Sequence, residues 1–94
     1  MKTIVVCDDV EIERLLLKEI LCQYFEEINE EVSIVEYDSG ETLIADVEEG
    51  YVAMDLLFLD ICMKKLNGME TARKLRQIQC KVPIIFLPPH RIMP

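Results

Sequence analysis

Apolar residues along this chain follow two alternating rhythms. Thr3-Ile4-Val5-Val6-Cys7 is a β-branched run closed by Asp8-Asp9, and Asp55-Leu56-Leu57-Phe58-Leu59-Asp60-Ile61-Cys62-Met63 is an apolar run that breaks on a carboxylate. Short continuous runs of this kind predict strands buried on both faces, as parallel strands are. Val32 to Tyr37 and Val82-Pro83-Ile84-Ile85-Phe86-Leu87 predict two more. Between them the period lengthens. From Val10 to about Ile28, Leu17, Ile20, Leu21, Tyr24 and Ile28 recur at helical spacing, with Ile12 and Leu16 leading in. Glu11, Glu13, Arg14, Lys18, Glu19 and Glu26 mostly take the other face, which predicts an amphipathic helix covering a sheet. Asp38 or Ser39 is placed to cap a shorter helix through Thr42, Leu43, Ile44, Val47 and Glu48, ending near Gly50. A third helix runs from about Met69 to Gln77, with Ala72, Leu75 and Met69 inward.

Strand and helix alternating at this spacing are βαβ units, so the expected fold is α/β with a parallel sheet and right-handed crossovers. Open sheets of this class bind ligands beyond the carboxyl ends of their strands, where Asp8, Asp9 and Asp60 fall. One such Asp is also explained by turn capping. Three at the ends of two adjoining strands repel one another, and a hard divalent cation answers that repulsion. Magnesium suits the set, since it takes one or two carboxylates and a carbonyl and keeps waters for the rest of its octahedron.

Composition narrows the picture. Ninety-four residues suit one small domain, which buries about two-thirds of its unfolded surface. At 51% hydrophobic and 30% charged, the chain is balanced as folded proteins are. No apolar run approaches the roughly 20 residues that cross a bilayer, and the first acids come too early for a signal peptide, so a cytoplasmic protein without a membrane partner is expected. A net charge of −8 with scattered basic residues argues against direct nucleic-acid binding. Cys7, Cys22, Cys62 and Cys80 have no C-x-x-C spacing and the chain holds one histidine, which argues against zinc. Reduced thiols are expected, with Cys7 and Cys22 buried and Cys62 partly exposed. The stretch Pro88-Pro89-His90-Arg91-Ile92-Met93-Pro94 excludes a regular helix, and His90 reads as an exposed polar residue.

Val5-Val6-Cys7-Asp8-Asp9 with Glu11 and Arg14, Phe58-Leu59-Asp60-Ile61-Cys62-Met63 with Asn67-Gly68-Met69-Glu70, and Pro83-Ile84-Ile85-Phe86-Leu87 resemble the receiver domain of two-component response regulators. The resemblance covers about residues 2 to 87, and its wording is most similar to regulators of the LytTR type. It implies a flavodoxin-like fold with strand order 2-1-3-4-5, of which this sequence reaches 2-1-3-4. The expectation is therefore an incomplete receiver fold lacking the fifth strand and last helices, with residues 1–87 a truncated receiver domain and 88–94 a Pro-rich, non-native-looking tail. The resemblance further implies that Asp60 is the phosphoacceptor, served by a histidine kinase. Asp9, Asp60 and the Cys62 backbone carbonyl would bind magnesium, with Asp8 supporting through water.

The departures carry expectations of their own. Pro88 stands where the family has a Ser or Thr whose hydroxyl binds the phosphoryl group, and Lys64 stands where the family usually has Pro. The family's phosphoryl-pairing lysine and aromatic switch residue have no counterpart in the sequence. A signalling module with impaired phosphotransfer is expected, not an enzyme; the alternative is a phosphorylation-independent interaction module or remnant. A haloacid dehalogenase type hydrolase also uses a strand-end Asp, but it wants a second Asp where this chain has Cys62. An uncharged apolar strand at the sheet edge further predicts a homo-oligomer formed through residues 82–87 or the tail.

Overall fold

The computed structural model of this chain describes residues 1–89. Seven elements alternate along it: β1 (Lys2–Cys7), α1 (Glu11–Glu27), β2 (Val32–Tyr37), α2 (Gly40–Glu48), β3 (Leu56–Asp60), α3 (Gly68–Gln77) and β4 (Ile84–Leu87). The four strands form one parallel sheet in the order β2-β1-β3-β4. No fifth strand occurs among the described residues, as the sequence predicts. His90 and the rest of the 88–94 tail beyond Pro89 lie outside them.

The alternating side chains of β1 sort the core into two layers. Val5 and Cys7 point with Leu57 and Leu59 of β3 to the face covered by α2 and α3, where Leu43 and Leu75 are fully buried. Ile4 and Val6 point to the opposite face and meet Leu21 of α1, flanked by Leu17, Phe25, Leu56 and Phe58. Both central strands are thus enclosed, which is why their sequences run apolar without alternation.

The helices show where periodicity misled. Helix α1 turns Leu17, Leu21 and Phe25 to the sheet, while Ile12, Leu16, Ile20, Tyr24 and Ile28 stay exposed. Its sequence is apolar around much of its circumference, so two rows compete at four-residue spacing: Leu17 and Leu21 turn inward as expected, but Ile20, Tyr24 and Ile28, with Ile12 and Leu16, fall on the row the sheet does not cover. Arg14 and Lys18, expected on the solvent face, reach Glu36 of β2 at 3.2 and 3.3 Å. Burial pulls Glu36 upward, but its hydrogen bonds to Arg14 and Lys18 prevail and hold its carboxyl below the ordinary value. In α3 the inward residues are Thr71 and Leu75, with Ala72 half-buried, and Met69 is exposed. Cys22 also departs from expectation, being exposed on α1, whereas Cys7 is buried and Cys62 exposed as expected. All four thiols are free.

Strand β4 is shorter than the run suggests. Pro83 cannot donate to the ladder, but its carbonyl accepts from the Leu57 N–H at 3.0 Å, so pairing with β3 begins before the strand does.

Candidate functional site

Chain direction does most of the work of assembling the site. β1 and β3 are adjacent and parallel, with Cys7 opposite Leu59, so the residues that follow β1 and the last residue of β3 emerge at one edge. Asp8, Asp9 and Asp60 meet there, each offering a carboxylate oxygen within 4.8 Å of the others. Asp8 and Asp60 are 5% and 3% exposed, and Asp9 is half-buried at the rim. The three acids singled out in the sequence are therefore one cluster.

Backbone amides hold each carboxylate in place. The Val10 N–H donates to Asp8 Oδ1 at 2.9 Å and the Cys62 N–H to Asp60 Oδ1 at 3.2 Å, both local turns closed by the Asp side chain two residues back. The third contact is long-range: the Lys64 N–H donates to Asp9 Oδ2 at 3.0 Å, tying the loop after β1 to the loop after β3. A proline in place of Lys64 would have no hydrogen to give. Beside this contact a cleft of about 440 Å³ opens, lined by Asp9, Ser39, Thr42, Lys64 and Lys65 among others.

Among the described residues, the charge of the cluster is not balanced by a neighbouring cation. Arg14 donates to the Asp8 backbone carbonyl at 2.9 Å and otherwise serves Glu36. Among the described residues, no Lys or Arg forms an ion pair with Asp8, Asp9 or Asp60. Burial, followed by the charge of Asp8, pushes the Asp60 carboxyl from its ordinary 3.8 up to about 6, against the opposing pull of the Cys62 N–H. Burial and the charges of Asp8 and Asp60 likewise push the Cys7 thiol up to about 12. A divalent cation fits this donor set: three hard oxygens converge, and among the described residues no cationic side chain pairs with them. Cys62 follows the turn after Asp60, so its backbone lies beside the cluster, while its thiol is exposed.

The loop from β3 into α3 rests on Asn67, Gly68 and Glu70, residues of the family wording to which the sequence reading gave no structural role. Asn67 accepts from the Glu70 N–H at 2.8 Å, while the Glu70 carboxylate accepts from the Asn67 N–H at 3.1 Å, a reciprocal cap visible in the Asn-x-x-Glu spacing. Gly68 packs directly on the end of β3, its N–H donating to the Ile61 carbonyl at 2.9 Å.

Residues 4–92 match the profile of a family described as the response regulator receiver domain. Among solved structures, response regulator protein TrrA from Thermotoga maritima, in complex with Mg²⁺ and BeF, shares 31% identity; 96% of this chain and 71% of that one align with a TM-score of 0.79. The N-terminal domain of a response regulator/sensory box/GGDEF three-domain protein from Carboxydothermus hydrogenoformans shares 26% identity over 99% of this chain and 68% of that one, with a TM-score of 0.80. The structure of FixJ-N, at 23% identity and a TM-score of 0.79, covers 96% of this chain and 66% of its own. This chain thus spans about two thirds of the length of such relatives, and 55% of a further match, a fusion carrying a yeast Spc42 coiled coil. Comparison with curated proteins gives no match.

Proposed function

This chain belongs to the response regulator receiver domain family, and from that premise we propose that Asp60 accepts a phosphoryl group from a histidine kinase beside a magnesium ion. The observation that carries the reading is the convergence of Asp8, Asp9 and Asp60 within 4.8 Å at the end of β3. Asp9, Asp60 and the Cys62 carbonyl are the groups we assign to the metal, with Asp8 acting through water. Bound magnesium supplies charge neutralisation for the phosphoryl oxygens. One Asp60 oxygen attacks phosphorus as the bond to the donor imidazole nitrogen breaks; the electron pair stays with the imidazole, and Asp60 becomes an acyl phosphate. The Cys62 N–H keeps the other Asp60 oxygen fixed during attack, and the Lys64 N–H does the same for Asp9. The Leu-Asp-Ile-x-Met and Asn-Gly-x-Glu wording supports kinship with LytTR-type regulators.

Incubation of the chain with acetyl phosphate and magnesium, followed by mass spectrometry, is expected to give a single phosphoryl adduct mapped to Asp60. Its absence, or an equal adduct on the Asp60→Asn variant, would sink the proposal. Magnesium or manganese should bind with a dissociation constant on the order of millimolar, as suits a site that leaves the ion most of its waters. A titration indistinguishable between the wild type and Asp60→Asn would remove the metal from the reading.

Phosphorylation is expected to be slow, because Pro88, directly after β4, brings neither a hydroxyl nor an N–H to the transferring group. Losing one such donor typically costs about 10²- to 10³-fold in rate. Pro88→Thr should therefore accelerate adduct formation by about tenfold or more; an unchanged rate would show that the hydroxyl is dispensable here.

Self-association along β4 belongs to the same reading. Among the described residues β4 pairs only with β3, and Ile84–Leu87 carries no charge to blunt its open edge. Light scattering at micromolar concentration should show a dimer that Ile85→Lys disrupts, and a monomeric mass for both chains would end the idea.

A further inference from the structure

Arg14 joins two groups that the sequence keeps far apart. Its Nη1 donates to the backbone carbonyl of Asp8 at 2.9 Å, and its Nε donates to Glu36 Oε1 on β2 at 3.2 Å. The Arg14 side chain is 14% exposed and that of Glu36 23%, so the guanidinium fork lies in a partly dry seam between α1 and the sheet. Register places Glu36 there: it lies opposite Val6 of β1, and Val6 points to the face that α1 covers.

The Asp8 peptide is what this fork holds. The Asp8 N–H donates to the Tyr37 carbonyl at 3.0 Å, its own carbonyl accepts from Arg14, and its Oδ1 accepts from the Val10 N–H at 2.9 Å. Both ends of its backbone and one carboxylate oxygen are thereby tied down. The Asp8 carbonyl shares a peptide plane with the Asp9 nitrogen, so a hydrogen bond that fixes the carbonyl also fixes the direction in which the chain leaves for Asp9. The start of α1 gives no such support, because Val10 occupies the cap position and its side chain makes no capping bond.

Charge alone assigns Arg14 the opposite role. A guanidinium close to three carboxylates disfavours a divalent cation among them, and deleting its charge would tighten metal binding. A residue that orients the ligands weakens metal binding when it is lost, typically by about 10- to 100-fold. The two effects differ in sign. Lysine at the same position separates them again, since it keeps the charge but offers a single ammonium in place of a planar fork that serves the Asp8 carbonyl and Glu36 at once.

We propose that Arg14, anchored by Glu36, is a positioning residue for the metal site, and that its fork sets the Asp8–Asp9 peptide so that both carboxylates face the end of β3. The inference rests on the reading of Asp8, Asp9 and Asp60 as a magnesium site.

The test uses the whole 94-residue chain, ¹⁵N-labelled, at a temperature where every variant is fully folded. Two quantities are measured: magnesium affinity by titration, and exchange of the Asp8 and Val10 amides in EDTA. Arg14→Met keeps an unbranched, helix-compatible stem and removes the fork. It is expected to bind magnesium about tenfold more weakly and to exchange both amides faster than wild type without metal. Arg14→Lys, which keeps the charge and the helix, should also bind more weakly than wild type. Lys18→Met takes a cation from Glu36 Oε2 without touching Asp8, and should match wild type in both measurements. Equal or tighter magnesium binding by Arg14→Met, wild-type affinity in Arg14→Lys, or a loss in Lys18→Met as large as that in Arg14→Met would overturn the proposal. A wild type that binds no magnesium would instead bring down the metal reading itself. Amide exchange in EDTA would then still decide the role of Arg14, with unchanged rates in Arg14→Met showing that its fork does not hold the loop.

Discussion

Asp60→Asn should abolish phosphoryl incorporation and, in the absence of metal, make the chain more stable at neutral pH. The first effect follows from chemistry, because an amide offers no anionic oxygen to attack phosphorus. The second follows from the cluster. Asp60 titrates near 6 in the folded chain against an ordinary 3.8, owing to burial and then to the charge of Asp8. A carboxyl whose pKa is raised by folding supports the fold when protonated, fully so below about pH 4, and that support is lost as pH rises through 6. Wild type without metal should therefore gain stability as pH falls from 7 toward 5, and Asp60→Asn should lack that part of the pH dependence. A rise from 3.8 to about 6 corresponds to at most about 3 kcal/mol. The site opens to water at Asp9, so screening brings the expected gain at pH 7 to about 1–2 kcal/mol. Chemical denaturation of both chains at pH 5 and pH 7, with EDTA and with magnesium, checks this. Magnesium should stabilise the wild type at pH 7 and narrow the difference. A variant less stable than wild type at pH 7 without metal would mean that burial and the charge of Asp8 do not strain ionised Asp60.

The cluster was legible in the sequence for a topological reason: once β1 and β3 are read as parallel neighbours, their ends must emerge together, whatever the side chains between them do. The four strands were legible because each is a short apolar run bounded by turn residues, and the shorter β4 reflects only what Pro83 takes from the ladder. Side-chain facing on α1 was legible only in part, since Leu17 and Leu21 turn to the sheet as expected and Ile20, Tyr24 and Ile28 do not. Ile12, Leu16, Ile20, Tyr24 and Ile28 satisfy helical periodicity as well as Leu17, Leu21 and Phe25 do, and the choice between rows is made by where the sheet lies. Cys22 was misplaced for a different reason: it was expected buried as cysteines commonly are, whereas its position on α1 is exposed. The Lys64 contact to Asp9 spans 55 residues, a backbone donation to a side chain that spacing does not encode.

Gly68→Ala should damage fold and site together, because this glycine is packed against the strand end that presents Asp60. A Cβ built at residue 68 would run into the Asp60 carbonyl oxygen and lie 2.8 Å from the Ile61 Cα, closer than such atoms approach in folded proteins. Neither obstacle is a side chain that can swing aside. Both belong to the backbone of the β3 exit, which is pinned by the Ile61 N–H to the Leu87 carbonyl at 3.2 Å and by the Gly68 N–H to the Ile61 carbonyl at 2.9 Å. The helix must therefore back away from the strand. Overpacking of this kind costs about 1–3 kcal/mol, and the reciprocal cap at Asn67 and Glu70 loses its alignment as well. Because the shift begins at Asp60 and Ile61, metal affinity should fall with stability. A melting temperature lowered by several degrees, with magnesium binding weakened at temperatures where the variant is still folded, is the expected result. The control is Gly50→Ala: Gly50 has φ +78° but open space around its Cα, so it should lose stability through backbone strain alone and bind magnesium as wild type does. Equal metal affinity in Gly68→Ala and wild type would show that the β3 exit tolerates displacement without disturbing Asp60.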